Sequence, residues 1–153
     1  MVKILVFDTE TTGLPEKNVS IYDHDKWPHI IQLSYIFYDI SNNTSVIKDD
    51  YINIRRDIEI TEASYEKHMI SREMLNEKGI NIRVALQDFN RYLALSDIVI
   101  GHNISFDKRM IFVESLRNHQ EQYFTTFANG TKICKPEFCT MKNTIDACGL
   151  SYQ

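Results

Sequence analysis

Residues 3–14 read Lys3-Ile4-Leu5-Val6-Phe7-Asp8-Thr9-Glu10-Thr11-Thr12-Gly13-Leu14, and what this stretch forms decides what the rest of the chain can be. The apolar run 3–8 is a short β-strand, closed by the turn signal Thr11-Thr12-Gly13-Leu14-Pro15. Alternate residues of a strand point to the same side, so Asp8 and Glu10 project together from the C-terminal end of an apolar strand. Two like charges so placed repel and are partly desolvated, and they call for a neutralising partner. A divalent cation held by carboxylate oxygens is the natural one. A bare Asp-x-Glu is usually a solvated strand end. The full string from Asp8 to Leu14 is far less common by chance.

Downstream, the run from His29 to Tyr38 is rich in Ile, Leu, Tyr and Phe, and Ser41-Asn42-Asn43 marks a turn before a looser strand over 46–54. This pair reads as a β-hairpin. Residues 61–78 are polar and helical. A helix over 80–95 places Ile82, Val84, Leu86, Phe89 and Leu93 on one face. A short buried strand over 97–101 follows, then an amphipathic helix from Asn103 to about His119. A loop with Asn129-Gly130 leads to a strand over 133–141 interrupted by Pro136, and a further helix starts near Asn143. This order predicts an α/β fold: one mixed sheet of about five strands with helices on both faces, a single domain over 1–153.

Bulk properties agree with one ordinary globular domain: 153 residues, 43% apolar and 25% charged. The net charge of −4 carries no basic footprint for nucleic acid. A site built of carboxylates awaiting metal ions would itself contribute negative charge, so the balance excludes little. No apolar run reaches the roughly 18–20 residues of a membrane span. The N-terminus meets an acid too soon for a signal peptide. Cys134, Cys139 and Cys148 are odd in number and contain no CxxC pair. They predict a reducing, intracellular setting (cytoplasmic or nuclear) rather than a zinc site or disulfide framework.

A second constellation is Ile100-Gly101-His102-Asn103-Ile104-Ser105-Phe106-Asp107, at the junction of a strand and a helix. Asn103 and Asp107 are four apart and share a helical face, with Phe106 beside them. Taken alone, Asn103 as N-cap and Asp107 favoured by the helix dipole explain it fully. The functional reading gains force because this segment and the first would end at the same edge of the sheet.

Together the two strings resemble the DnaQ-like (DEDD) 3′–5′ exonucleases, a family of ribonuclease H-like fold that includes the proofreading exonuclease domains of DNA polymerases. Asp8-Thr9-Glu10 matches the first family motif and Asn103 to Asp107 (N-x-x-F-D) the second. Weaker matches are Ile30-Ile31-Gln32-Leu33-Ser34 and Cys139-Thr140-Met141-Lys142. The resemblance implies phosphodiester hydrolysis with two divalent ions, Mg²⁺ or Mn²⁺, about 3.5–4 Å apart. It implies that Asp8 bridges both ions, Glu10 holds the water-activating one and Asp107 the other. Backbone around Thr9 to Thr12 and the side chain of Leu14 would hold the terminal nucleotide, with Asn103 and Phe106 lining the same pocket. His68 lies where many relatives have a histidine near the substrate. The implied partner is a nucleic acid 3′ end, DNA ahead of RNA, together with a polymerase or a completing C-terminal segment. Arg55, Arg56, Arg72, Lys108 and Arg109 are candidates to meet phosphates, although solvated surface charge is the default for each.

The pattern breaks at the third family motif, H-x-x-x-x-D or Y-x-x-x-D. After Asp107 the chain holds one histidine, His119, and one aspartate, Asp146, at spacings that do not fit. Asp146 reads as an ordinary helix residue. Two expectations follow from this C-terminally truncated pattern. Activity of these residues alone should be greatly reduced, since loss of a general base typically costs about 10²–10⁴ in rate. The absent last helix should also leave an apolar strip of sheet uncovered. The rival classes are a catalytically defective fragment that serves as a nucleic-acid-binding or interaction module, and an RNA-directed 3′–5′ exoribonuclease.

Overall fold

The computed structural model describes residues 1–145 and 147–149. The expectation for Asp146, and the last four residues of the proposed domain, lie outside the described residues. The first strand, β1 (Lys3–Thr11), runs three residues further than the apolar run alone indicated, so Asp8 and Glu10 belong to its paired part. It pairs antiparallel with β2 (Ile30–Asp39), which turns back through Asn43, at φ 50°, into β3 (Thr44–Tyr51). The expected hairpin forms, with its second strand beginning earlier.

The polar stretch before the long helix is two helices, α1 (Glu62–His68) and α2 (Arg72–Lys78). Thr61 and Ser71 cap them, each hydroxyl accepting the backbone N–H three residues on. Between them Met69 stands in the left-handed region at φ 57°, which ends α1. Next come α3 (Ile82–Leu95), β4 (Ile98–Gly101) and α4 (Ile104–Arg117). Asn129-Gly130 is the turn of a small separate hairpin, β5 (Thr125–Ala128) with β6 (Thr131–Cys134). Pro136, lacking an N–H, separates it from β7 (Glu137–Cys139). The single strand expected over 133–141 is thus two short ones. A final turn of helix, α5, spans Thr140–Asn143, earlier than expected.

The main sheet has the order β3-β2-β1-β4-β7, with β1, β4 and β7 parallel and β2 antiparallel to β1. On one face α3 and α4 bury Leu5, Phe7, Leu33, Tyr35 and Val99 against Leu86, Phe89, Leu93, Met110 and Ile111. Tilted aromatic contacts link Phe7, Phe89 and Phe124 at centroid distances of 5.3–6.2 Å. Val84, expected on the core face, is 50% exposed, and Ala85 takes its place at 0%. At 100° per residue Ala85 continues the stripe Ile82, Leu86, Phe89, Leu93, whereas Val84 points almost opposite to Ile82.

The opposite face, expected to be covered by helices as well, carries a cross-strand row of apolar residues one per strand. Ile47 pairs Ile36, Ile36 pairs Val6, Val6 pairs Ile100, and Ile100 pairs Phe138. Exposures of 71% for Ile47, 43% for Ile36, 39% for Val6 and 41% for Phe138 show the expected uncovered strip. Among the described residues no helix is long and apolar enough to cross a membrane. Cys134, Cys139 and Cys148 are free thiols.

Candidate active site

Along β1 the pleat sorts the residues cleanly. Leu5, Phe7, Thr9 and Thr11 face the helices, while Val6, Asp8 and Glu10 face the open side. Asp8 and Glu10 therefore do share a side, as their spacing requires. Asp107, in the first turn of α4, approaches from the helix side and is 3% exposed. Its Oδ1 accepts the Thr9 hydroxyl at 2.7 Å and the Thr9 backbone N–H at 3.0 Å. The third acid is thus tied to the residue between the other two.

Gly101 lets this happen. A Cβ there would lie 3.1 Å from the Ile104 side chain and 3.3 Å from the Phe7 carbonyl, so any other residue would push these neighbours aside by a few tenths of an ångström. Asn103 enters the helix at φ 54°, a conformation asparagine tolerates, and its side chain makes no capping hydrogen bond. The simple capping account of Asn103 fails on that geometry. The dipole account of Asp107 misses where its carboxylate goes, which is to β1.

Burial pushes Asp107 up to about 6, with the nearby Asp8 charge adding to it and the Thr9 hydrogen bonds opposing. Burial also raises Glu10, helped by the charge of Asp8 and opposed by His68 and Lys67. Asp8 keeps an exposed surface, yet crowding of its carboxyl raises it too, against the Thr9 N–H and the charge of His102. None of the three takes part in an ion pair among the described residues. Three partly desolvated carboxylates without a cation are the donor chemistry that suits Mg²⁺ or Mn²⁺. They do not form a preassembled cage: among the described residues no three His, Cys, Asp or Glu side chains stand ready to ligate one ion.

Beside Glu10 lies a cleft of about 360 Å³ lined by Thr9, Thr11, Gly13, Leu14, Thr61, Lys67, His68 and Phe106 among others. Thr9, Leu14, His68 and Phe106, expected at the nucleotide pocket, all line this one cleft. Leu14 is 75% exposed at its mouth. Asn103 and Thr12 are not among the lining residues. Thr12 is buried, and its hydroxyl accepts the His29 N–H at 2.9 Å, so it supports the wall from behind. The His68 Nδ1 accepts the Ile70 N–H at 3.0 Å, so the neutral ring carries its proton on Nε2. That Nε2 is buried and has no hydrogen-bond partner among the described residues.

On the open side, a cavity of about 700 Å³ over the apolar row is edged by Asp8, Ser34, Asp49, His102 and Thr140. His102 was not singled out from the sequence. Its Nδ1 lies 3.0 Å from the Thr140 hydroxyl, which brings the ends of β4 and β7 together at Asp8. The only sequence signal was its place inside the second string. The basic candidates are mostly engaged: Arg72 donates to the Ile54, Arg55 and Ile58 carbonyls, Lys108 pairs with Glu137, and Arg55 meets Asp57 at 3.1 Å. Arg56 and Arg109 remain exposed.

Comparison with known proteins puts this geometry in context. The structure of E. coli Exonuclease I in complex with a dA16 oligonucleotide superposes with a TM-score of 0.72 at 16% identity, over 97% of this chain and 30% of that one. A moderately thermophilic Exonuclease I from Methylocaldum szegediense gives 0.72 at 17% identity, over 96% and 30%. A product-bound exonuclease I gives 0.69 at 16% identity, over 96% and 31%. The chain thus spans about 30% of the length of these structures, and at such identities the likeness speaks for the fold. No curated protein sequence matches significantly. The exonuclease family model, of the RNase T type, matches residues 5–146, which takes in both acidic strings and the five strands of the sheet. With that match over nearly the whole sequence, the chain belongs to the DnaQ-like, DEDD-type 3′–5′ exonuclease family.

Proposed function

We propose that this chain forms the metal-binding part of a 3′–5′ exonuclease that removes terminal nucleotides from nucleic acid, DNA ahead of RNA, by a two-metal mechanism. The observation that carries it is Asp107 docked on Thr9, between two acids that share the open side of the same strand. Asp8, Glu10 and Asp107 would hold the divalent ions. When bound, such ions activate water and stabilise the leaving 3′ oxygen. The rest falls to the chain itself. Leu14 and Phe106 offer apolar walls to a terminal nucleoside, and the His68 ring lines the same cleft. The preference for DNA draws support from the fold relatives, several of them solved with DNA oligonucleotides.

A second reading is a nucleic-acid-binding or interaction module without catalysis; within residues 108–153 no third-motif histidine or tyrosine stands with its aspartate at family spacing. One experiment separates the two: the full chain with Mn²⁺ is given 5′-labelled single-stranded DNA and the matching RNA. The exonuclease reading expects slow shortening from the 3′ end, faster on DNA, reduced by about 10²–10⁴ for want of a general base and abolished in Asp8→Ala. Mn²⁺ binding without any digestion would favour the module. Absence of Mn²⁺ binding would sink the metal site altogether.

A further inference from the structure

The last turns of α4 hold a second buried charge cluster, remote from the metal-binding acids. Glu114 is 2% exposed. Its Oε1 accepts the Ile30 N–H at 3.0 Å and Nη1 of Arg117 at 3.1 Å. Arg117 also donates to the Pro28 carbonyl at 2.7 Å, to the Trp27 carbonyl at 2.5 Å and, through Nε, to the His24 carbonyl at 3.1 Å. Two side chains thus gather four backbone groups of the approach to β2, from His24 to Ile30. A guanidinium suits the task because its planar fork aims five N–H donors in fixed directions, whereas an ammonium has three on a freely turning point charge.

What these residues hold leads back to the cleft. The His29 N–H donates to the Thr12 hydroxyl and the Thr12 N–H to the His29 carbonyl, both at 2.9 Å. The Thr12 carbonyl accepts the N–H of Thr61, the N-cap of α1, at 2.8 Å. Thr61 and Gly13, next to Thr12, stand side by side in the lining of the cleft. A Cβ on Gly13 would sit 3.2 Å from the Thr61 methyl, so a side chain there would press on Thr61. The ladder runs from α4 through residues 28–30 to Thr12 and on to this Gly13–Thr61 wall.

We propose that Glu114 and Arg117 are positioning residues for the nucleotide cleft, setting the place of its Gly13–Thr61 wall through His29 and Thr12. The proposal rests on the cleft being the nucleotide site. It predicts control of nucleotide affinity without control of metal affinity, because Asp8, Glu10 and Asp107 are placed by β1 and the opposite end of α4. A cluster that merely stabilised the fold would affect all parts alike.

The test uses the full chain and the variants Arg117→Lys, which keeps the charge and loses the fork, and Glu114→Gln, which keeps an acceptor for Ile30. Amide hydrogen exchange is read at Thr12, His29 and Thr61 against Leu5 and Val99. Binding of Mn²⁺ alone, and of thymidine 5′-monophosphate with Mn²⁺, is read alongside. In Arg117→Lys the first three amides should exchange about tenfold faster or more while the core amides do not change. Nucleotide affinity should fall about tenfold with Mn²⁺ affinity held within about twofold, and Glu114→Gln should show a smaller change of the same kind. Unchanged exchange at Thr12, His29 and Thr61 overturns the proposal. So does acceleration shared equally by the core, or equal loss of metal and nucleotide. Should Arg117→Lys fail to fold, Thr12→Val cuts the same ladder one rung later and is judged by the same readings. A wild-type chain that binds neither Mn²⁺ nor nucleotide sinks the exonuclease reading, while the exchange pattern still decides the ladder.

Discussion

Asp107 in the first turn of α4 and Glu114 two turns later are both nearly sealed carboxylates on one helix, 3% and 2% exposed. Glu114 is met by a guanidinium, a backbone N–H and an adjacent imidazole. Asp107 has two hydrogen bonds to Thr9 on one oxygen, a like charge nearby, and no cationic partner among the described residues. Burial of a charge is tolerated when it is paired and hydrogen-bonded, and otherwise shows itself as a displaced pKa. The difference separates a charge that ties the chain together from one left open for something outside it.

The sharpest way to break this comparison is to truncate each acid. Glu114→Ala should destabilise the protein by about 3–5 kcal/mol in denaturant unfolding, since Arg117 is left buried and uncompensated. Asp107→Asn, measured without metal at pH 7.5, should act in the opposite direction and stabilise by about 2–3 kcal/mol. Equal losses from the two variants would show that both acids are structural.

The pH dependence tests the same point without mutation. Because burial raises Asp107 from 3.8 to about 6, the folded protein retains a proton in that interval which the unfolded chain has lost. Metal-free stability is therefore greatest below about pH 4 as far as this group is concerned, falls as pH rises towards 6 and levels off above it, by about 2–3 kcal/mol in total. Asp8 and Glu10, also raised, add to the same slope. Urea unfolding at pH 5 and pH 7.5 in chelator reads it, and Asp107→Asn should flatten most of it.

Metal should reverse the penalty. Mn²⁺ at a hundred times its dissociation constant should stabilise the wild type by about 2.7 kcal/mol at pH 7.5 and leave Asp8→Ala unmoved. An equal rise in both melting curves would place the ion elsewhere. The smallest effect belongs to Thr9→Val, which removes the hydroxyl that orients Asp107 but leaves the backbone N–H in place. It should cost about 1 kcal/mol in unfolding and weaken Mn²⁺ binding while preserving the fold, as circular dichroism would show.

Much of this is legible in the sequence. Period-two spacing put Asp8 and Glu10 on one side of a strand, because a side chain's direction in a strand depends on its position alone. The hairpin of β2 and β3, α3, β4 and α4 could be read from local periodicity and punctuation. Local patterns failed where competing signals were short: the β5–β6 hairpin hides in ten residues, and the phase of α3 was misjudged at Val84. Thr12 shows another limit, since a hydroxyl in a motif looks like a ligand until its partner, His29, is found seventeen residues away.

The sequence by itself determined the family, the run of elements and the side from which two of the acids project, since these depend on neighbours a few residues apart. Only the tertiary structure decided that Asp107 rests on Thr9 across 98 residues, that His102 and Thr140 meet beside Asp8, and that Glu114 with Arg117 holds the backbone before β2. Contacts of that kind arise from how strands and helices pack, and a buried charge finds its partner, or goes without one, only when distant segments come together.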